Sequence, residues 1–255
     1  MNFRSASLRL ALAAPLALAL AACDETTDDT SGGELLEAIA APEGTDWNST
    51  VTISEEQGYV VGNPDAPLKL VEYASHTCPA CASFAINGKP SLKEYIATGN
   101  VSFEQQEVFL NTFDVVIAGL AMCGPDERYQ ALSDEVWVNL GAVQQGLGRD
   151  QAGLQAANAL ELDQRFVRIA EVSGLLDFFA ARGVSADQGR ACLGDADAMQ
   201  ALVERVSTQA SEVNIQGTPT FFLNGNRVEG ISWDDIEPQL QRRGARPAAA
   251  NAAAE

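Results

Sequence analysis

Leu-Lys-Leu-Val-Glu-Tyr-Ala-Ser-His-Thr-Cys-Pro-Ala-Cys, residues 68–81, reads as a buried strand running through a short loop into the first turn of a helix. The strand part, 68–73, has the apolar run of a strand covered on both faces, with Glu72 as the exception near its end. Cys78 and Cys81 stand three apart and so fall on one helical face, where their sulfurs can meet as a disulfide or as a thiol beside a thiolate. At the helix start Cys78 faces backbone N–H groups that lack partners, together with the positive end of the helix dipole, and both favour a thiolate. Cys78 is therefore the expected nucleophile. Cys81, one turn further in, suits the resolving thiol. Pro79 has its φ preset for a first helical turn and gives up an N–H that would have been orphaned there.

Cys-x-x-Cys also serves structural zinc, with His76 two residues upstream as a third ligand. A closed zinc site needs a second such pair or a His pair. This chain has one His and no second Cys-x-x-Cys, so the redox reading is preferred and no metal is expected.

Residues 61–81, with Val-Gly-Asn-Pro-Asp-Ala-Pro ahead of the strand, resemble the opening of a DsbA-like thiol:disulfide oxidoreductase, a bacterial envelope member of the thioredoxin superfamily. Gly217-Thr218-Pro219-Thr220-Phe221-Phe222 resembles the cis-proline strand of that family. The two motifs bracket most of residues 59–241. The resemblance implies an α/β chain, a thioredoxin-like fold with an inserted helical domain. It also implies that Pro219 is cis and lies against the dithiol, and that Thr218 offers its backbone to a substrate strand. Glu72 matches the family's buried acid, which moves a proton to or from Cys81 because burial lifts its pKa toward the working range; the alternative is a solvated side chain at the strand's edge. Two readings stand for His76, one beside the site helping to hold the Cys78 thiolate and meet substrate, the other a loop residue pointing at solvent. DsbA itself has a histidine between Pro and the second Cys; this chain has Ala80, which leaves its oxidising strength open.

Periodicity agrees with that plan. Short strands are expected near 58–61 and over 101–108, with the helix after Cys81 disturbed at Asn87-Gly88-Lys89-Pro90 and resuming from Ser91. From 112 to 212 the pattern is helical: Tyr129, Leu132, Val136 and Leu140 fall at helical spacing, as do Met199, Leu202, Val203, Val206, Ala210 and Val213. Asn224-Gly225-Asn226 signals a hairpin, and Ser232 with Asp235 caps a last helix.

The chain has 255 residues, 46% of them hydrophobic, and a net charge of −19, which argues against a nucleic-acid partner. Arg4 and Arg9 precede an apolar run from 10 to 22, shorter than the roughly 20 residues of a membrane span and read as a signal peptide. Leu20-Ala21-Ala22-Cys23 resembles a lipobox, which implies a lipidated Cys23; ordinary cleavage with Cys23 left as a thiol is the alternative. Asp24 resembles an inner-membrane retention signal. With Cys23 and the dithiol so assigned, Cys123 and Cys192 remain of the five cysteines. They read as a structural disulfide within the helical insert, worth about 4 kcal/mol at most by loop-closure entropy; two free buried thiols are the alternative, since some relatives carry such a bridge and others lack it.

The expected organisation is a signal peptide (1–22), a lipid-anchored acidic tether (23–57), two thioredoxin-like parts (58–111 and 213–243) around the insert (112–212), and a loose tail (244–255). The expected activity is oxidation of dithiols in exported polypeptides through the Cys78–Cys81 disulfide. The site would lie in the periplasm on an inner-membrane-anchored monomer, without a cofactor, and would be recharged by a membrane partner, a quinone-linked oxidase rather than an electron donor. The rivals are a reductase or isomerase kept reduced by a membrane donor, and a non-catalytic metal-binding or chaperone-like lipoprotein.

Overall fold

The computed structural model of the protein describes residues 33–251, so the expected signal segment and Cys23 lie outside the described residues. Six strands make one sheet: β1 (Val51–Ile53), β2 (Tyr59–Gly62), β3 (Leu68–Ala74), β4 (Val101–Glu107), β5 (Thr220–Leu223) and β6 (Asn226–Arg227). They lie in the order β1-β2-β4-β3-β5-β6. The β3/β4 pair is parallel, in register from Leu68↔Val101 to Ala74↔Glu107, and the other pairs are antiparallel.

Parallel neighbours need a crossover. Here α1 (Pro79–Asn87) and α2 (Lys89–Ile96) supply it, broken at Gly88 and resuming at Lys89, two residues earlier than the sequence pattern suggested, with Pro90 accommodated in the first turn. Between β4 and β5 run eight helices: α3 (Thr112–Ala121), α4 (Tyr129–Val138), α5 (Leu140–Leu147), α6 (Gln151–Asn158), α7 (Leu162–Val172), α8 (Leu175–Ala180), α9 (Ala186–Gly194) and α10 (Ala196–Glu212). Their apolar stripes form one core, in which Tyr129, Leu132, Val136, Met199, Leu202 and Val206 are all buried. The stripe from Tyr129 to Leu140 is interrupted at Asn139, where α4 ends and α5 begins. Cys123 and Cys192 are joined in this insert, with Cα atoms 6.0 Å apart.

The β5–β6 turn is two residues long, Asn224 and Gly225, both with positive φ (50° and 77°), which suits the right-handed twist of a hairpin. α11 (Trp233–Arg242) starts with the Ser232/Asp235 capping box, and α12 (Ala248–Asn251) follows.

Two expectations about the ends are corrected. Residues 33–49, placed in the tether, lie along the domain as a strap: Gly33 N–H donates to Arg242 O, Leu36 N–H to Gly244 O, and Ile39 N–H to Thr98 O. Trp47 is buried and donates through Nε1 to Ile39 O at 2.7 Å. The approach is close enough that a Cβ on Gly99 would collide with the strap at Ile39 and Trp47. The start of the tail is docked as well. Ala245 is fully buried and Arg246 donates to Gln241 O at 2.9 Å. Local polarity hid these contacts because they are made largely by backbone groups, with the side chains of Trp47 and Arg246.

Candidate active site

β3 delivers its last residue, Ala74, to a three-residue loop, Ser75-His76-Thr77, and Cys78 then caps α1. No side-chain oxygen fills the cap position. The Cys78 sulfur makes no capping hydrogen bond either, but it stands at the head of α1, close enough to the backbone N–H groups of Ala80 and Cys81 for their dipoles to favour a thiolate. The thiol of Cys81, these two N–H groups and the Thr218 side chain favour the thiolate strongly enough to outweigh burial, and the Cys78 pKa is lowered from 9.0 to about 5. In its thiol form Cys78 Sγ donates to Thr218 O at 3.1 Å. The two cysteines are unbonded thiols here.

Cys81 is the opposite case. It is wholly buried, and desolvation, helped by the Cys78 sulfur and by the charge of Glu72, pushes its pKa far above the ordinary thiol value. Glu72 is buried to 0% exposure in the central strand, paired with Gln105 on one side and Phe221 on the other. Neither carboxyl oxygen has a hydrogen-bond partner among the described residues. Burial lifts the Glu72 pKa from 4.5 to about 8, against the opposing pull of Lys89. The solvated-edge alternative for Glu72 does not hold.

Lys89 was not singled out in the sequence. Its buried ammonium donates to Asp134 Oδ1 at 2.6 Å and to Gln105 and Gln130 at 3.3 Å, and lies 4.5 Å from the Trp137 ring centre. Trp137 packs with Cys78 and Cys81 and donates through Nε1 to Ser75 O at 3.1 Å. Nothing in the sequence marks this tryptophan, since the helical insert brings it back over α1.

Thr218-Pro219 is a cis peptide, Pro219 is buried, and Thr218 is half-buried beside Cys78. His76 departs from both of its readings. It is wholly buried, with Nε2 hydrogen bonded to Ser133 Oγ at 2.9 Å, Nδ1 3.3 Å from Glu107 Oε2, and its ring stacked on Trp137. Sealed in this way it cannot touch a substrate. The role given to it in substrate binding is withdrawn. Among the described residues no group of three or more His, Cys, Asp or Glu could hold a metal ion, and no helix is long and apolar enough to cross a membrane.

Comparison with known proteins places this geometry. A family model described as thioredoxin matches residues 54–242. A Rickettsia bellii protein that carries the provisional name protein-disulfide oxidoreductase is 24% identical over 74% of this chain and 65% of its own length, so the chain spans somewhat under two thirds of that relative. The disulfide bond formation protein D of Bacillus subtilis is 25% identical over 72% of this chain and 75% of its own. The crystal structure of a protein-disulfide isomerase from Novosphingobium aromaticivorans is 26% identical, covers 72% of this chain and 95% of its own, and superposes with a TM-score of 0.66.

Proposed function

Since the chain belongs to the thioredoxin family, with the helical insert of its DsbA-like members, we propose that it is a thiol:disulfide oxidoreductase that oxidises dithiols of exported polypeptides. The observation that carries this reading is the asymmetry of the two sulfurs, Cys78 lowered to about 5 and Cys81 pushed far up. A substrate thiolate attacks Cys78 of the oxidised pair and forms a mixed disulfide, and the S–S electron pair leaves on Cys81. Cys81 holds a negative charge poorly and takes a proton, for which Glu72, protonated up to about pH 8, is the buried donor. A second substrate thiolate then attacks the substrate sulfur of the mixed disulfide. Cys78 departs as a thiolate, a good leaving group at its lowered pKa. The substrate gains one disulfide and the protein holds two reduced cysteines.

A thiolate stabilised in the reduced form makes the disulfide the more oxidising partner, which supports the oxidising direction over a reductive one. Thr218 and Pro219 present the backbone edge along which the substrate strand runs. Recharging by a quinone-linked membrane oxidase, a periplasmic location, a monomeric state and inner-membrane anchoring through a lipidated Cys23 belong to the same proposal. Their support is the sequence pattern alone; loss of a lipid mass in Cys23→Ala is the check on the anchor.

The deciding experiment equilibrates the protein in glutathione buffers. A Cys78–Cys81 potential at or above about −180 mV, where protein disulfide isomerase lies, supports an oxidant. A potential near about −270 mV, that of thioredoxin, sinks the oxidising direction and turns the proposal into a reductive one. Absence of an exchanging dithiol, with Cys78→Ser as the control, sinks the enzyme reading.

A further inference from the structure

Outside the groups used above, the densest set of polar contacts converges on Asp114, in the first turn of α3. Its carboxylate is wholly buried. Oδ1 accepts from Ser75 Oγ and from Thr77 N–H, each at 2.9 Å. Oδ2 accepts from Leu110 N–H at 2.9 Å, Thr77 Oγ1 at 3.2 Å and Asn111 N–H at 3.3 Å. Asn111 closes the ring, donating through Nδ2 to Thr77 Oγ1 at 2.8 Å.

A capping box needs a single bond from its acid back to the cap residue, here Asn111 N–H. The other four contacts exceed what is needed to start α3, and three of them go to the loop that ends at Cys78. That loop sets the helix cap directly: Cys78 N–H donates to Ser75 O at 3.2 Å, and Ser75 O also receives Trp137 Nε1. Ser75 and Thr77 are thus the residues whose placement decides where the Cys78 sulfur stands relative to the N–H groups of Ala80 and Cys81.

We propose that Asp114 is a positioning residue for the dithiol, holding Ser75 and Thr77 against the head of α3 so that the Cys78 sulfur stays at the positive, N-terminal end of α1. This rests on the reading of Cys78 as the exchange nucleophile. The proposal has a sign that a charge effect does not share. Acting only through space, the negative Asp114 would oppose a thiolate at Cys78, and its removal would ease ionisation. Acting through the loop, it maintains the geometry that favours the thiolate, and its removal would hinder ionisation.

The test is the thiolate titration of the reduced, full-length protein, followed by ultraviolet absorbance and by iodoacetamide alkylation rate, for wild type and Asp114→Asn. The expected result is a midpoint moved upward by about one pH unit, a tenfold loss of thiolate below the midpoint. A midpoint that stays in place, with only stability reduced, would overturn the proposal by making Asp114 a fold residue. A downward move would overturn it in favour of the through-space charge. Should Asp114→Asn not fold, Ser75→Ala removes one donor and keeps the charge; an upward midpoint shift, read below the midpoint as an about twofold slower alkylation, supports the proposal, and an unchanged or faster rate overturns it. If wild-type Cys78 itself does not ionise below neutral pH, the exchange reading falls and this proposal with it. A wild type that does, beside variants that leave it unmoved, overturns this proposal alone.

Discussion

Glu72 and Asp114 are both acids with no solvent exposure, and they stand on two sides of the same cysteine loop, yet their surroundings differ in almost every respect. Asp114 receives five donors and its charge is spread over the N–H dipoles at the head of α3. Glu72 receives none. Desolvation raises both pKa values, but for Asp114 it is opposed by His76 and by the donor hydrogen bonds, while for Glu72 the one opposing group is Lys89. The difference teaches that burial alone does not make a proton carrier. An acid that is buried and left without donors exchanges its proton near neutral pH; one that is buried and saturated with donors serves as a joint.

The comparison can be broken most forcefully at Glu72. Folding raises its pKa from 4.5 to about 8, so the folded state keeps the proton where the unfolded state has released it. The stability this group contributes is complete below pH 4.5 and is lost as the pH climbs to about 8. The loss is about 5 kcal/mol at most, or roughly 10–20 °C in Tm. Measured on the oxidised protein, in which neither cysteine of the pair titrates, Glu72→Gln is expected to remove that decline and to be the more stable protein at about pH 9. Parallel melting profiles for the two proteins would mean that Glu72 is no proton carrier. Asp114→Asn comes next. Its amide cannot accept at both positions, so buried donors are left without partners, and denaturant unfolding at neutral pH is expected to lose about 3 kcal/mol in the oxidised form and about 1 kcal/mol more in the reduced form, whose thiolate is also less well held. A loss confined to one redox form would place Asp114 with the chemistry and erase the contrast. The smallest effect sharpens it: Lys89→Met removes the one cation that opposes burial at Glu72, and infrared titration of the Glu72 carboxyl should move up by about one pH unit.

Much of this was legible in the chain because it is local. A strand pattern over 68–73 with Glu72 near its end, a Cys-x-x-Cys beginning a helix, and a proline followed by Thr220 and two phenylalanines each lie within a few residues of one another. Asp114 was not legible in its main role. The trace that sequence carries of it is the Asn111–Asp114 spacing of a capping box, which predicts one of its five bonds; a second, from Leu110, is also local, and the three to Ser75 and Thr77 depend on β3 and β4 lying side by side. His76 failed for the same reason. As the one histidine beside a dithiol it invited a role in the chemistry, but its partners Glu107 and Ser133 come from β4 and α4, and only the packing of the insert against the sheet makes it an interior residue. The strap at 33–49 was misjudged because polar composition describes what a segment's side chains prefer, whereas this one is held largely by its backbone.

That strap also gives the domain a handle. It binds at Thr98–Asn100 and Arg242–Gly244, the end of the sheet where β3 and β4 begin, whereas Cys78 follows the other end of β3. Seven residues of strand put about 20 Å between the two poles. A grip applied ahead of Gly33, whether by a bead, a sensor chip or any other surface, therefore pulls on the end of the sheet where β3 and β4 begin and leaves the Cys78 end of the domain uncovered on the opposite side.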